Sequence, residues 1–193
     1  ILTVICGPPG SHKETVFNRL TSLVQARTQW IRLVPKTVKE IKETLLWSIE
    51  EYRRYSSEVG REATTLQTKR QRVRGILLCP EVSGARQVLS AIAQLPHQDH
   101  ANPYVTKILI GCVVTCLDIQ TAILDRGRMT YPGLLELLYE GWSNHLLLTG
   151  PAKAKQITST ELSTKMGEME RLIHAVNPRL SPLYTPDGDV DSS

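Results

Sequence analysis

No apolar run in the sequence approaches the roughly 20 residues that a helix needs to cross a bilayer, so the sequence predicts a protein that does not span a membrane. The chain also has no HExxH motif, no nucleophile elbow with a matching Ser/His/Asp set, and no dinucleotide-binding glycine pattern. These absences remove zinc proteases, serine hydrolases and Rossmann-type dehydrogenases from consideration. No internal repeat is present.

Cysteine is sparse and is not spaced for metal binding. No CxxC pair occurs, and Cys6, Cys79, Cys112 and Cys116 all fall within or at the ends of apolar, strand-like runs. Three of these runs are expected to be neighbours in one buried sheet, where cysteine behaves as a small hydrophobe. The sequence therefore predicts reduced thiols in an intracellular, reducing compartment, with disulfides or metal ligation as the alternative. The cytoplasm and an organelle matrix fit equally well.

Length and composition fit one ordinary globular domain. The chain has 193 residues, 41% of them hydrophobic and 22% charged, and its net charge of +4 permits an acidic partner without requiring one. We expect the domain to occupy residues 1–185, followed by a polar tail or linker over 186–193. Because residues 1–6 already form a strand-like run and no initiator Met precedes them, we expect the chain to be a fragment of a longer protein.

Strand-like and helix-like segments alternate along the chain. Strands rich in continuous apolar residues and separated by helices are typical of an α/β fold with a mainly parallel sheet flanked by helices on both faces. Strands are predicted near residues 1–6, 30–34, 75–79, 105–117, 145–149 and 180–184, and helices near 14–26, 37–52, 88–95, 134–138 and 161–176.

The loop between the first strand and the first helix indicates a P-loop NTPase type of fold. A phosphate-binding loop has the pattern GxxxxGK[ST], in which backbone amides surround the phosphates, the lysine reaches the outer phosphates and the hydroxyl binds magnesium. Gly7 and Lys13 are in register with this pattern, whereas His12 replaces the second glycine and Glu14 replaces the hydroxyl residue. The candidate phosphate-binding residues are Gly7, Gly10, Ser11, His12, Lys13, Glu14 and Thr15.

The two replacements weaken the prediction that this loop binds a nucleotide. His12 adds bulk where glycine lets the backbone approach a phosphate, and Glu14 places a carboxylate beside the polyphosphate. Glu14 is a candidate magnesium ligand, since carboxylates suit that ion. Thr15, the next residue on the helix, points in a different direction, so its hydroxyl does not replace the missing magnesium ligand. The alternative is a relic loop that joins strand to helix and binds nothing.

Several later segments resemble the CobW/HypB/UreG family of GTPases in order and spacing. They are residues 1–7 with 17–20, the Cys79–Gly84 segment, the Val113–Asp118 strand, residues 142–148, and the helix end at Asn177-Pro178-Arg179. The resemblance covers almost the whole chain. It implies a GTPase that delivers or inserts metals, with GTP or another nucleotide and magnesium as cofactors; a domain without any cofactor fits equally.

The same resemblance places Glu81, Ser83 and Gly84 near the γ-phosphate and the attacking water, with Glu81 as a candidate catalytic group. The alternative is that Glu81 and Ser83 cap the following helix. Two motifs of the family are missing. The NKxD aspartate that reads guanine has no counterpart in residues 149–153, and the CxCC metal motif has none in residues 37–74.

The segment 53–74 is rich in arginine and lysine and poor in large apolar residues. It is expected to be a solvated insertion or loop, with an arm that contacts RNA as the alternative. A loop cluster at His97-Gln98-Asp99-His100 resembles a zinc-binding set, but a solvated loop is the preferred interpretation.

Three departures from the motifs, at His12, at Glu14 and at the missing NKxD aspartate, favour an inactive or very slow NTPase. The sequence therefore predicts a CobW-like pseudo-GTPase that acts as a scaffold or assembly factor with protein partners in a larger complex, with a ribonucleoprotein as one candidate. The alternative is a slow CobW-like GTPase linked to metal delivery or cofactor insertion.

Overall fold

The structure is a computed structural model that describes residues 1–22, 28–62, 72–80, 84–95, 108–119, 136–150, 159–186 and 188. These residues form one six-stranded sheet in which all neighbouring strands are parallel. The strands are β1 (Leu2–Cys6), β2 (Thr28–Leu33), β3 (Arg72–Leu78), β4 (Ile110–Asp118), β5 (His145–Gly150) and β6 (Pro182–Pro186), in the spatial order β2-β3-β1-β4-β5-β6.

Helices cover both faces of this sheet. They are α1 (Lys13–Ser22), α2 (Glu40–Glu62), α3 (Ala85–Ala93) and α4 (Ser159–Val176). Alternate side chains of the central strands point to opposite faces, so each strand contributes to two cores. One face packs against α2, α3 and α4, and the other packs against Val16 and Phe17 of α1. The predicted α/β fold of P-loop NTPase type is confirmed.

The cysteine-bearing strands are neighbours, as predicted, because β3, β1 and β4 are adjacent at the centre of the sheet. Cys6, Cys79 and Cys116 are buried and Cys112 is half-buried, and none of the four forms a disulfide.

The structure differs from the predicted boundaries at the basic segment. α2 continues to Glu62, so residues 53–62 are helical rather than a loop, and β3 already begins at Arg72. The expectation of a loop over the start of this segment is therefore wrong. Tyr55 and Val59 continue the spacing of three and four residues that Ile49 and Tyr52 begin, and Arg54 pairs with Glu51 one turn earlier at 3.2 Å. Residues 63–71, which include Lys69 and Arg70, lie outside the described residues.

The bounds of two other elements differ from those predicted. β4 begins at Ile110, although Leu109 still accepts a hydrogen bond from the amide of Leu2 at 2.8 Å. The described part of the predicted helix near residue 135 is a single turn over residues 136–138.

The strand order places a crevice at the carboxyl end of the sheet. The connection from β1 leads to β2 on one side, whereas β4 is followed in the sheet by β5 on the other side, so the direction of winding reverses between β1 and β4. Open parallel sheets bind ligands at the carboxyl ends of their strands at such a reversal. The loop after β1 and Asp118 at the end of β4 lie at this position.

Candidate phosphate-loop site

The backbone of the loop keeps a shape that glycine normally supplies. Gly7 and Gly10 have φ angles of 154° and 81°, and His12 has a φ of 55°. Within the described residues, His12 is the one non-glycine residue with a positive φ. Such a conformation is costly for a residue with a Cβ atom, so the surrounding structure must hold it in place.

Gly7 lies too close to its neighbours to carry a side chain. An added Cβ atom would collide with the carbonyl oxygen of Cys116 and would lie 2.6 Å from the Ser11 Oγ. The first motif glycine is therefore required by packing on β4, whether or not a phosphate binds.

Lys13 points into the protein. Its side chain is 3% exposed, and its Nζ donates hydrogen bonds to the carbonyl oxygens of Gly7 at 2.9 Å and Cys79 at 3.0 Å. The ammonium thus joins the end of β1 to the residue that follows β3. A buried cation is tolerated where carbonyl oxygens replace its hydration, and these two oxygens serve that purpose.

Glu14 and Thr15 lie on the exposed side of the first turn of α1. An acidic residue in the first turn is favourable for the helix because it complements the positive end of the helix dipole. The same charge repels a polyphosphate at the loop. With a carboxylate here in place of a hydroxyl, these residues do not fit a magnesium–nucleotide complex of the usual kind.

The ends of β5 and β6 brace the loop from its other side. The Thr149 hydroxyl donates a hydrogen bond to the carbonyl oxygen of Ser11 at 3.0 Å. Gly188, in the turn after β6, is buried against His12 and Val16. Both residues were missed in the sequence, where Thr149 appeared only as the start of a lost motif and Gly188 as part of a tail.

Of the proposed γ-phosphate group, only Gly84 is within the described residues; Glu81 and Ser83 lie outside them. Gly84 precedes α3, and its amide donates a hydrogen bond to Gln87 Oε1 at 2.9 Å. An added Cβ atom would collide with Leu137. The glycine therefore allows close packing at the start of α3.

A buried carboxylate also lies at this edge of the sheet. Asp118 is 7% exposed and pairs in register with Thr149 of β5. An acidic residue at the end of an otherwise apolar strand was the available signal for it.

The thiols beneath the loop are unreactive groups. Burial raises the pKa of Cys6 to about 11, although the Thr115 hydroxyl and the Lys13 charge oppose the shift. Burial, reinforced by Cys6, raises the pKa of Cys116 further. Both therefore remain neutral thiols at physiological pH.

The comparison with protein families decides the family of this chain. The sequence model of the DAAF9 domain matches residues 2–193. The chain belongs to the DAAF9 domain family. The expected membership of the CobW/HypB/UreG family is therefore wrong. No curated protein matches the chain.

The structure explains why the resemblance misled. The matching segments that the structure describes lie largely in buried strands and at helix ends, which are positions that packing in this fold constrains. Residues 113–118 and 146–148 are buried in strands, and a Cβ atom on Gly84 would collide with the Leu137 side chain at the start of α3. Asn177 is 2% exposed at the end of α4, where it donates a hydrogen bond to the carbonyl oxygen of Leu138 at 3.1 Å and accepts one from the amide of Arg179 at 3.1 Å.

The remaining predicted sites are only partly covered. Residues 97–100 and 151–153 lie outside the described residues. Within the described ranges, no group of three or more His, Cys, Asp or Glu side chains is placed to hold a metal ion. In the same ranges, no helix combines the length and the apolar character needed to cross a bilayer.

Proposed function

We propose that this DAAF9 domain is a pseudo-NTPase, which serves as a rigid scaffold for protein partners in a larger assembly and does not turn over nucleotide. The observation that carries the proposal is Lys13, whose buried Nζ binds the carbonyl oxygens of Gly7 and Cys79. In this position the lysine stabilises the carboxyl end of the sheet. The motif lysine thus has a structural role that does not depend on a phosphate.

Two further substitutions support the same proposal. His12 places a side chain where the motif has glycine, and Glu14 places an exposed carboxylate where the motif has a hydroxyl. His12 weakens polyphosphate binding through its bulk, and Glu14 weakens it through charge repulsion. A working NTPase would need a separate compensation for each.

Calorimetric titration of GTP, GDP and ATP, with and without magnesium, tests the absence of nucleotide binding. We expect no binding tighter than about 1 mM for the wild-type chain. The informative variant is the double substitution His12→Gly with Glu14→Ser, which restores the motif and should improve binding if these two residues are what weakens it.

Lys13→Ala and the exposed Lys39→Ala are the matched lysine variants for the same titration. Micromolar binding by the wild type that disappears in Lys13→Ala and persists in Lys39→Ala would overturn the proposal. It would instead support a slow, nucleotide-binding enzyme.

The scaffold role predicts that partner binding does not depend on nucleotide. The full-length protein should retain the same partners in EDTA as in magnesium with excess GTP or ATP. Loss of partners on removing magnesium and nucleotide would argue for a nucleotide-dependent switch.

Contact with RNA through residues 53–74 is a separate proposal that the described residues support only weakly. Arg54 is already paired with Glu51, which reduces the charge that α2 offers to a phosphate backbone. Neutralising Arg53, Arg54, Lys69, Arg70 and Arg72 should reduce RNA affinity and its salt dependence if this segment binds RNA. Neutralising Lys36 and Lys39 is the control. Equal affinity in both variants would show that the segment only keeps the surface soluble.

A further inference from the structure

The turn after β6 lies directly on the phosphate loop. Gly188 donates its amide to the carbonyl oxygen of Thr185 at 3.0 Å and has a φ of 75°. A Cβ atom on Gly188 would lie 3.1 Å from the His12 carbonyl oxygen, 3.2 Å from Val16 Cγ2 and 3.3 Å from His12 Cβ. A side chain at residue 188 would therefore require a strained backbone and a shift of a few tenths of an ångström in its neighbours.

The strand next to β6 contacts the same part of the loop. Thr149, at the end of β5, donates its hydroxyl to the carbonyl oxygen of Ser11 at 3.0 Å. Thr149 and Thr185 are register partners, so the ends of β5 and β6 form one surface behind residues 11 and 12. The Ser11 hydroxyl is fully buried, which shows how closely this side of the loop is enclosed.

These contacts supply what the conformation of His12 needs. A left-handed backbone at a residue with a Cβ atom persists only where its surroundings fix it. Packing of Gly188 against the His12 carbonyl and Cβ, together with the α-helical hydrogen bond from the Val16 amide to the His12 carbonyl at 3.1 Å, fixes both sides of this residue.

We infer that the turn at Gly188 is a conformational strap that holds the phosphate loop in its glycine-like shape. The strap couples two places that are far apart in the sequence. A change in the position of residue 188 moves His12 and the start of α1, and a change in the loop displaces the turn.

Hydrogen exchange of the backbone amides measures this coupling. Gly188→Ala should speed exchange in residues 10–16 by about tenfold, the factor that corresponds to 1.4 kcal/mol. Gly141→Ala is the matched control, because Gly141 has a similar positive φ of 88° but has no atom within 4 Å of an added Cβ. It carries the same backbone penalty without the contact.

The double substitution His12→Gly with Gly188→Ala completes the test. Replacing His12 removes one of the three close contacts and the strained φ, so exchange in residues 10–16 should fall back toward that of His12→Gly alone. The inference fails if Gly188→Ala leaves loop exchange unchanged, or if His12→Gly does not reduce its effect. It also fails if exchange rises equally in the loop and in β1 and β3, because Gly188 would then support the whole domain rather than the loop.

Discussion

Lys13 shows how one side chain can keep a motif position and change its role. Its Nζ lies between the ends of β1 and β3, with hydrogen bonds to two carbonyl oxygens and 3% exposure. A lysine in this position contributes to folding through the partners that it satisfies. Substitution of Lys13 should therefore lower the stability of the folded domain.

Replacing Lys13 with Met should lower the free energy of unfolding by about 1–3 kcal/mol, because the Gly7 and Cys79 carbonyls lose this buried donor. Urea denaturation of the two proteins measures the difference. Lys39→Met, at an exposed lysine, should change stability by less than about 0.5 kcal/mol. Equal stability of wild type and Lys13→Met would contradict the structural role assigned to the lysine.

At the scale of the secondary-structure elements, two glycines near helices have opposite roles. Gly84 precedes α3 in contact with Leu137, whereas Gly167 lies inside α4, and a Cβ atom there meets nothing within 4 Å. The first glycine is required by packing, and the second only adds flexibility to the unfolded chain.

Gly84→Ala should therefore destabilise the domain by about 1–3 kcal/mol through overpacking against Leu137. Gly167→Ala should stabilise it by about 0.5–1 kcal/mol, because alanine is the better helix former. Thermal unfolding of both variants tests whether the first substitution lowers the melting temperature and the second raises it. A loss of stability in Gly167→Ala would mean that α4 has a neighbour that the described residues lack.

The end of α4 depends on Asn177. Asn177→Ala removes a donor to Leu138 and an acceptor for the Arg179 amide, and should cost about 1–3 kcal/mol. Asn177→Asp keeps the acceptor for the Arg179 amide but places a buried carboxylate oxygen against the Leu138 carbonyl oxygen, so it should cost at least as much. Denaturant unfolding would compare them, with the exposed His174→Ala as the control. If neither substitution lowered the free energy of unfolding, the Asn177 side chain would not stabilise the end of this helix.

On the scale of the whole molecule, three central strands enclose the thiols. Cys6, Cys79 and Cys116 are buried on β1, just after β3 and on β4, whereas Cys112 is half-buried. Because burial raises the pKa of Cys6 to about 11, this thiol is protonated as well as inaccessible at pH 8.

Alkylation at pH 8 should therefore modify Cys112 first and the other three together, at the rate of global unfolding. Mass spectrometry of a labelling time course gives the order, and urea should accelerate only the slow group. Burial raises the pKa of Cys112 above its ordinary value, so raising the pH from 8 to about 10 should increase its thiolate fraction and speed its labelling, whereas labelling of Cys6 should change little while unfolding limits it. Early labelling of Cys6 would contradict the burial of β1.

The sequence by itself determined the alternation of strands and helices and the mainly parallel sheet, whereas the order of the strands came from the tertiary structure. Continuous apolar runs at residues 2–6 and 145–148 have few alternatives to buried parallel strands, and the spacing in residues 14–20 determined the helix between loop and sheet. Polar stretches carried less information. The helix through residues 53–62 was missed because this segment is rich in charged residues and has few large apolar ones, although Tyr55 and Val59 continue the helical spacing.

Only the tertiary structure decided what the loop residues do. The direction of Lys13, the brace from Thr149 and the strap at Gly188 depend on contacts between residues far apart in the chain, such as residue 13 with 79 and residue 12 with 188. Local patterns do not encode such contacts. Local patterns also do not distinguish residues that the fold requires from residues that are typical of one family. Packing at β4, at the start of α3 and at the end of α4 favours the glycines and the asparagine found there, whichever family the chain belongs to.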